Sequence, residues 1–225
     1  MKKPVFLVLA VAVVTFIGCF SCNSGGKDLQ AVIPNGIKLS VEPGEHWMGK
    51  MKVFIFSINN APQMAAWIEN ANGDYISTIT VTDRSAKKNW RSAPKEGRPE
   101  ALPVWNHKTQ DNAAQVDSVS AATSKGAVDV QMDNGSLMDG QEYNVYLEIN
   151  HSYDYNDTWT EGNSGVNGQP SLIYHAKFTM GKFGRIELTP IGHGSVDGSD
   201  GTIVNGLDGF TTALTMIKDA YIENP

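Results

Sequence analysis

The chain has 225 residues, of which 41% are hydrophobic, including five tryptophans, seven tyrosines and eight phenylalanines. This composition is sufficient for the packed core of one large or two small domains, so we expect a globular protein. The formal net charge of −6 and the lack of a basic stripe to meet phosphates argue against a nucleic-acid partner.

The N-terminal residues have the pattern of a bacterial export signal. Lys2 and Lys3 precede an apolar run over residues 5–17, which is too short to span a bilayer comfortably and is followed by small residues. The sequence FIGC at 16–19 resembles a lipobox, so we expect Cys19 to carry a lipid, with Cys22 as the alternative. A simple cleaved signal with incidental cysteines remains the other interpretation. No cysteine occurs later, so no disulfide can form within the folded domain.

These features predict a signal peptide over residues 1–18, a tether over 19–36 and a single domain over 37–225. The protein is then a membrane-anchored lipoprotein that faces the periplasm or the cell exterior. Removal of residues 1–18 leaves 16 basic and 24 acidic residues, a net charge of −8. A chain of that charge is soluble, but the charge by itself does not indicate a function.

Alternating apolar residues predict an all-β domain, with no long stretch of helical period. An Asn72-Gly73 turn between two strands predicts an antiparallel hairpin, and residues 50–58 are predicted to form one central strand with both faces covered. With long loops between the strands, the pattern favours an antiparallel, immunoglobulin-like β-sandwich of eight or nine strands. The predicted strands cover residues 38–41, 50–58, 64–69, 74–82, 142–150, 172–179, 184–189 and 214–222.

Residues 83–101 are basic and lack the alternating apolar pattern of the strands. Six basic residues and two prolines occur there with Trp90 as the one aromatic residue. We interpret the segment as a long surface loop, with a landing site for an anionic cofactor or partner as the alternative. The basic residues are Arg84, Lys87, Lys88, Arg91, Lys95 and Arg98.

A small, hydroxyl-rich motif, VDSVSAATSKG, occupies residues 116–126. It places Asp117 ahead of Thr123, a threonine flanked by small residues that an external enzyme can reach. An ordinary hydrogen-bonded turn is the alternative, because Ser, Thr and Asp side chains bond readily to their own backbone.

Several segments together resemble the DUF2271 family of predicted periplasmic proteins. They are APQMAAWIENANGDYI at 61–76, RPEALPVWNH at 98–107, EINHSYDYND at 148–157 and SGVNGQPSLIYHA at 164–176. The resemblance covers most of the mature chain and implies association with extracytosolic flavin-dependent electron transfer, including membrane redox proteins and a flavin transferase.

The motif itself resembles the substrate sequence of such a transferase, in which a threonine hydroxyl receives FMN from FAD. By that resemblance Thr123 would carry the FMN phosphate, Asp117 would help the transferase to hold its substrate, and Ser120 would keep the approach clear. Ala121 departs from the glycine that is common in such motifs and removes some backbone freedom. We expect Trp105, Tyr153, Tyr155 and Trp159 to be candidate stacking partners for the flavin ring.

Other chemistry has weaker support in the sequence. The oxygen-bearing residues Asn150, Asp154, Asn156 and Asp157 suit calcium, but their spacing matches no calcium-loop pattern, and neither does GSVDGSDGT at 194–202. The five histidines are scattered, which gives little support for zinc or haem. His151 and Asp154 lack the accompanying nucleophile elbow of a hydrolase.

We therefore expect a lipid-anchored accessory or electron-relay module of a flavin-dependent redox system, and not a stand-alone enzyme. Its partners would be the membrane, a flavin transferase and a membrane redox protein. The alternative is a cofactor-free β-sandwich that acts as a binding or structural subunit and docks a membrane partner.

Overall fold

Alternating apolar residues form strands along most of the computed structural model. It describes residues 36–53, 56–90, 95, 97–110, 120–121, 124–133, 135–181 and 183–224, with the backbone alone for 51–53, 56–58, 120 and 121. Contacts divide the chain into Met1–Val32 and Ile33–Pro225, and every described residue belongs to the second unit. The predictions for Cys19, Cys22, the signal peptide and the tether over residues 19–35 lie outside the described residues.

Thirteen strands are described, and we number them in chain order. They are β1 Gly36–Pro43, β2 Gly49–Val53, β3 Phe56–Asn60, β4 Gln63–Asn70, β5 Tyr75–Thr82, β6 Ser120–Ala121, β7 Val128–Asp133, β8 Glu142–Asn150, β9 Leu172–Thr179, β10 Ile186–Glu187, β11 Thr189–His193, β12 Val204–Asn205 and β13 Ile217–Glu223. The helices are α1 Asp83–Ala86, α2 Pro103–Lys108 and α3 Glu161–Ser164, with 3₁₀ turns at Pro99–Ala101 and Thr212–Thr215. Within the described part of the chain, no helix is long and apolar enough to cross a membrane.

The strands form two main sheets. The small sheet has the order β10-β13-β1-β7, and the large sheet has the order β12-β11-β9-β8-β4-β5-β6. Pairing is antiparallel except for the short contact between β5 and β6. The predicted all-β sandwich is therefore confirmed.

The main core lies between the two sheets. Leu39 of β1 and Ala220 of β13 face Ile68 of β4 and Leu147 of β8 in one buried cluster. Alternate residues of the large sheet point the other way, where Trp67 and Ile173 pack against Trp105 of α2. Helix α2 thus covers the outer face of the large sheet, so β4 is buried on both faces.

The predicted hairpin at Asn72-Gly73 is confirmed. Strands β4 and β5 pair antiparallel across it, and Gly73 adopts a positive φ of 87°. Such a φ is accessible to glycine at little steric cost, which is why Asn-Gly favours this turn.

The prediction of one central strand over residues 50–58 was wrong. The segment belongs to two strands, β2 and β3, which pair only with each other in a two-stranded sheet, with Gly49 opposite Asn60. Alternation of apolar residues is the same in one long strand and in two short ones. Because no Gly, Pro or Asn marks the turn, the sequence did not reveal the hairpin.

Two further boundaries differ from the predictions. Residues 184–189 do not form one strand: β10 joins β13 in the small sheet, and β11 joins β9 in the large sheet. Buried Leu188 lies between them, so the chain changes sheet at this residue. The predicted strand over 214–222 begins only at Ile217, after the 3₁₀ turn, and β7 was not predicted at all.

Candidate functional site

The motif, the start of the basic segment and the loop after β8 lie at one end of the sandwich, which we call the site end. Gln63 of β4 pairs with Asn150 of β8, and Thr82 of β5 pairs with Ala121 of β6, so these strand termini lie at the same end. At the opposite end, β1 begins at Gly36, which pairs with Asp133. The chain therefore begins the sandwich at the end remote from the motif.

The motif is held at this end from two sides, although Asp117 and Thr123 lie outside the described residues. The backbone of Ser120 and Ala121 forms β6 at the edge of the large sheet. The Trp47 indole Nε1 donates to the Ser124 carbonyl oxygen at 3.2 Å. The Ser124 hydroxyl also forms a local turn, accepting from the Gly126 N–H at 3.1 Å.

A cleft of about 220 Å³ opens beside the motif. It lies between β5 of the large sheet and β7, at the edge of the small sheet. Apolar side chains form most of its wall, and the lining residues are Met64, Thr80, Val81, Thr82, Ser124, Ala127, Val128, Asp129 and Val130. Ser124, the residue that follows Thr123 in the chain, is therefore part of the cleft.

The carboxylate of Asp129 points away from the cleft, because its neighbours Val128 and Val130 face the core and Asp129 lies opposite Ser40 on the outer face of the small sheet. It accepts a hydrogen bond from the Ser40 hydroxyl at 2.6 Å and pairs with Lys38 at 3.4 Å. The Ser40 hydrogen bond and the nearby Lys38 ammonium lower the pKa of Asp129. The charge of Asp129 is therefore paired with Lys38 outside the cleft.

His151 links the motif to the hairpin of β2 and β3. Its Nε2 accepts from the Gly49 N–H at 3.3 Å, and its ring also bonds to the Trp47 backbone. Burial lowers the pKa of His151 to about 4, although the Trp47 bond opposes this change. The neutral imidazole of His151 therefore bonds to Trp47, the residue whose indole binds the Ser124 carbonyl.

The loop after β8 is tied down by Asp154. Its carboxylate accepts from the Thr212 hydroxyl at 2.6 Å and from the Gln169 side-chain amide at 2.7 Å. Burial raises the pKa of Asp154, and these hydrogen bonds oppose the increase. Tyr153 has a positive φ of 64°, a conformation that persists in a non-glycine residue only when its surroundings hold it.

The candidate stacking residues at this loop have different surroundings. Tyr153 and Tyr155 are exposed and meet edge to face, with ring centroids 6.4 Å apart. Trp159 instead packs against Phe210, with ring centroids 5.7 Å apart. Trp105 packs on the outer face of the large sheet. None of the four is among the residues that line the cleft.

The C-terminal end of the basic segment is tied to the rest of the domain through Arg98. Arg98 donates to Glu100 at 2.8 Å and to the Asn167 side chain at 2.8 Å, and it lies over the Trp90 ring at 5.0 Å. A third hydrogen bond joins it to the Ser152 hydroxyl. Arg98 therefore connects the basic segment to the loop after β8.

Glu148 is a buried ionisable group that the sequence did not single out. Its carboxylate is fully buried and accepts from the backbone N–H groups of Val104 at 3.2 Å and Trp105 at 2.8 Å. The Ser171 hydroxyl donates to it at 2.7 Å. Burial raises the pKa of Glu148 to about 7, and the three hydrogen bonds oppose the increase. This residue joins α2 to the large sheet.

The polar loops use their side chains for turns. The Asn156 amide oxygen accepts from the Thr158 and Trp159 N–H groups, and Asp197 and Asp200 accept from backbone N–H groups two residues on. The described residues contain no group of three His, Cys, Asp or Glu side chains arranged to hold a metal.

Comparison of the chain with protein-family profiles, with curated proteins and with solved structures finds no match. The assignments that rest on resemblance therefore stay predictions.

Proposed function

We propose that this protein is a lipid-anchored carrier of FMN, attached covalently to Thr123, and that it relays electrons for an extracytosolic redox system. The observation that carries the proposal is the position of Ser124. This neighbour of Thr123 lines the cleft between the two sheets. An FMN attached to the preceding residue would therefore be tethered beside the cleft, since consecutive Cα atoms are only about 3.8 Å apart.

The loading step is a phosphoryl transfer. The Thr123 hydroxyl oxygen forms a bond to the FMN-side phosphorus of FAD, and the bond from that phosphorus to the bridging oxygen breaks. AMP leaves, and the hydroxyl proton passes to a base of the transferase. No oxidant is required, because the flavin keeps its oxidation state during attachment.

The cleft fits a carrier better than it fits an enclosed enzyme site. Sites that enclose a whole ligand have volumes of about 300–1,000 Å³, whereas this cleft has about 220 Å³. It suits part of a flavin ring, with the remainder open to a redox partner. Bound flavin supplies the electron transfer, and the protein supplies attachment, orientation and the local environment.

Three chain features suit that role. The β6 pairing and the Trp47 bond to Ser124 hold the motif on both sides. Met64, Val128 and Val130 offer an apolar wall to the ring. Ser124 lies in the same cleft, so the proposed attachment point is adjacent to that wall.

Intact-mass measurement tests the proposal. The mature chain is co-expressed with a flavin transferase, purified and weighed. We expect a mass increase equal to FMN less one water, with a yellow colour. Thr123→Ala should abolish both, whereas Ser124→Ala, which removes the adjacent hydroxyl, should leave the modification in place.

The outcome also decides between the proposal and its alternative. An unmodified wild-type chain under these conditions contradicts the FMN carrier and favours a cofactor-free subunit that binds a membrane partner. A modified Thr123→Ala chain would show that the attachment residue is elsewhere. Circular dichroism of each variant checks that the fold is intact.

A further inference from the structure

The positive charge of this acidic chain is concentrated in one segment. Residues 83–98 contain six of the 18 lysine and arginine residues but only two of the 24 acidic residues. The rest of the chain is therefore strongly negative, and the segment has the opposite sign to its surroundings. Such an asymmetry produces a local field that attracts acidic surfaces.

This charge lies directly beside the motif. Helix α1 follows β5 without a gap and contacts both β5 and β6. We define the basic patch as Arg84, Lys87, Lys88 and Lys95, all of which are exposed. The patch therefore borders the same sheet edge that carries Ser120 and Ala121.

Most of the patch charge is not neutralised within the described part of the chain. Lys87 pairs with Asp83 at 3.3 Å. Among the described residues, no carboxylate forms an ion pair with Arg84, Lys88 or Lys95. In contrast, Lys177 and Lys218 on other faces pair with Glu142 and Glu42.

The two ends of the basic segment are held in place. Arg98 ends the segment and is bonded to Glu100, Ser152 and Asn167, with its guanidinium over Trp90. At the other end α1 packs on the sheet. A fixed surface loses less conformational entropy on binding than a free loop does.

The geometry favours a macromolecule over a small anion. The cavity beside Lys88 and Arg98 offers about 10 Å³, which is the space of about one water molecule. The patch cations themselves are exposed and spread over α1 and the chain that follows it. They do not converge on an enclosed phosphate site, so an extended acidic surface is their better complement.

We propose that the basic patch is the docking surface for an acidic face of the flavin transferase, an inference that rests on the proposed function. An enzyme that forms a bond at Thr123 must cover the surroundings of the motif. A typical interface buries about 800 Å² on each partner, a disc of about 16 Å radius. Because α1 contacts β6, such a footprint includes the patch.

An anionic membrane is the other acidic surface that the patch could meet. Strand β1 begins at the end opposite to the motif and runs eight residues towards the site end, a length of about 26 Å at about 3.3 Å for each residue. The predicted tether over residues 19–36 can span about 60 Å, so the vesicle measurement below distinguishes a membrane from the transferase.

The test measures the rate of FMN attachment by intact mass, with purified transferase and FAD. The patch variant is Arg84→Glu/Lys88→Glu, and the matched control is Lys177→Glu/Lys218→Glu, which changes net charge equally. We expect kcat/KM of the patch variant to fall by about ten-fold or more at low salt, with kcat unchanged, since charge acts on encounter. High salt should slow the wild type and reduce this difference.

The outcomes separate the two proposals. If the wild type is modified and both variants are modified at the same rate, the docking inference is wrong while the FMN carrier stands. If the wild type is never modified, both fail. Vesicles of phosphatidylcholine and phosphatidylglycerol are mixed with the chain in which Ala replaces Cys19 and Cys22. If the wild-type patch binds these vesicles and the Arg84→Glu/Lys88→Glu variant does not, the patch is a membrane-binding surface and the proposed transferase partner is wrong.

Discussion

Glu148→Gln should remove a pH dependence that the buried carboxylate imposes on folding. In the folded protein Glu148 is fully buried, and its pKa is raised from 4.5 to about 7. The folded state therefore keeps a proton that the unfolded state releases above pH 4.5. The stability from this proton is present in full below pH 4.5 and is lost as the pH rises to about 7.

The pKa change sets the magnitude of the effect. A difference of this size between the folded and unfolded pKa values corresponds to about 3 kcal/mol of unfolding free energy. Glutamine resembles the protonated carboxyl group: its amide oxygen can accept from the Trp105 N–H, and its NH₂ group can donate to the Ser171 hydroxyl. The variant should therefore gain stability relative to the wild type, by up to about 3 kcal/mol, as the pH rises from 4.5 to 8.

Urea denaturation followed by circular dichroism at several pH values provides the assay. Asp154, Asp129 and His151 also have shifted pKa values, but both proteins contain them, so the difference curve isolates Glu148. Glu142→Gln, at an exposed position of the same strand, is the matched control and should give a flat curve. A flat or inverted difference curve for Glu148→Gln would refute the argument.

Two smaller predictions concern the site end. Gly168→Ala should lower the free energy of unfolding, measured by urea denaturation, by about 2 kcal/mol more than Gly140→Ala does. Both glycines have a positive φ, but only at Gly168 would a Cβ meet backbone, the Asp154 carbonyl carbon at 2.4 Å. Equal losses for the two variants would contradict this prediction. Trp47→Phe removes the hydrogen bond to the Ser124 carbonyl. It should lower the free energy of unfolding by about 1 kcal/mol and increase the rate of amide hydrogen exchange near Ser124. Trp159→Phe removes the same volume but a donor that lacks a partner among the described residues, so it should lower the free energy of unfolding by less than Trp47→Phe does. Equal losses would contradict the assignment.

Local sequence patterns predicted those strands that show clear apolar alternation or are joined by a turn with characteristic residues such as Asn-Gly. Asn72-Gly73 indicates a hairpin because it accommodates a positive φ, and the alternation in residues 142–150 gave β8 with the same bounds. The hairpin of β2 and β3 and the change of sheet at Leu188 depend on pairing between distant residues. Local alternation contains no such information.

The candidate site was predictable in part for the same reason. The motif and the basic segment have unusual composition, so sequence alone marked them. The contact of α1 with β6, the Trp47 bond to Ser124 and the burial of Glu148 all arise from tertiary packing. Glu148 alternates with apolar residues as an exposed strand residue would, and only the covering helix α2 shows that it is buried.

The mass of the mature chain after co-expression with a flavin transferase is the most direct test of the central claim. The FMN-carrier account predicts one added FMN less one water on the wild type and none on Thr123→Ala. An unmodified wild-type chain, recovered folded alongside a transferase that modifies another substrate in the same cells, would contradict it.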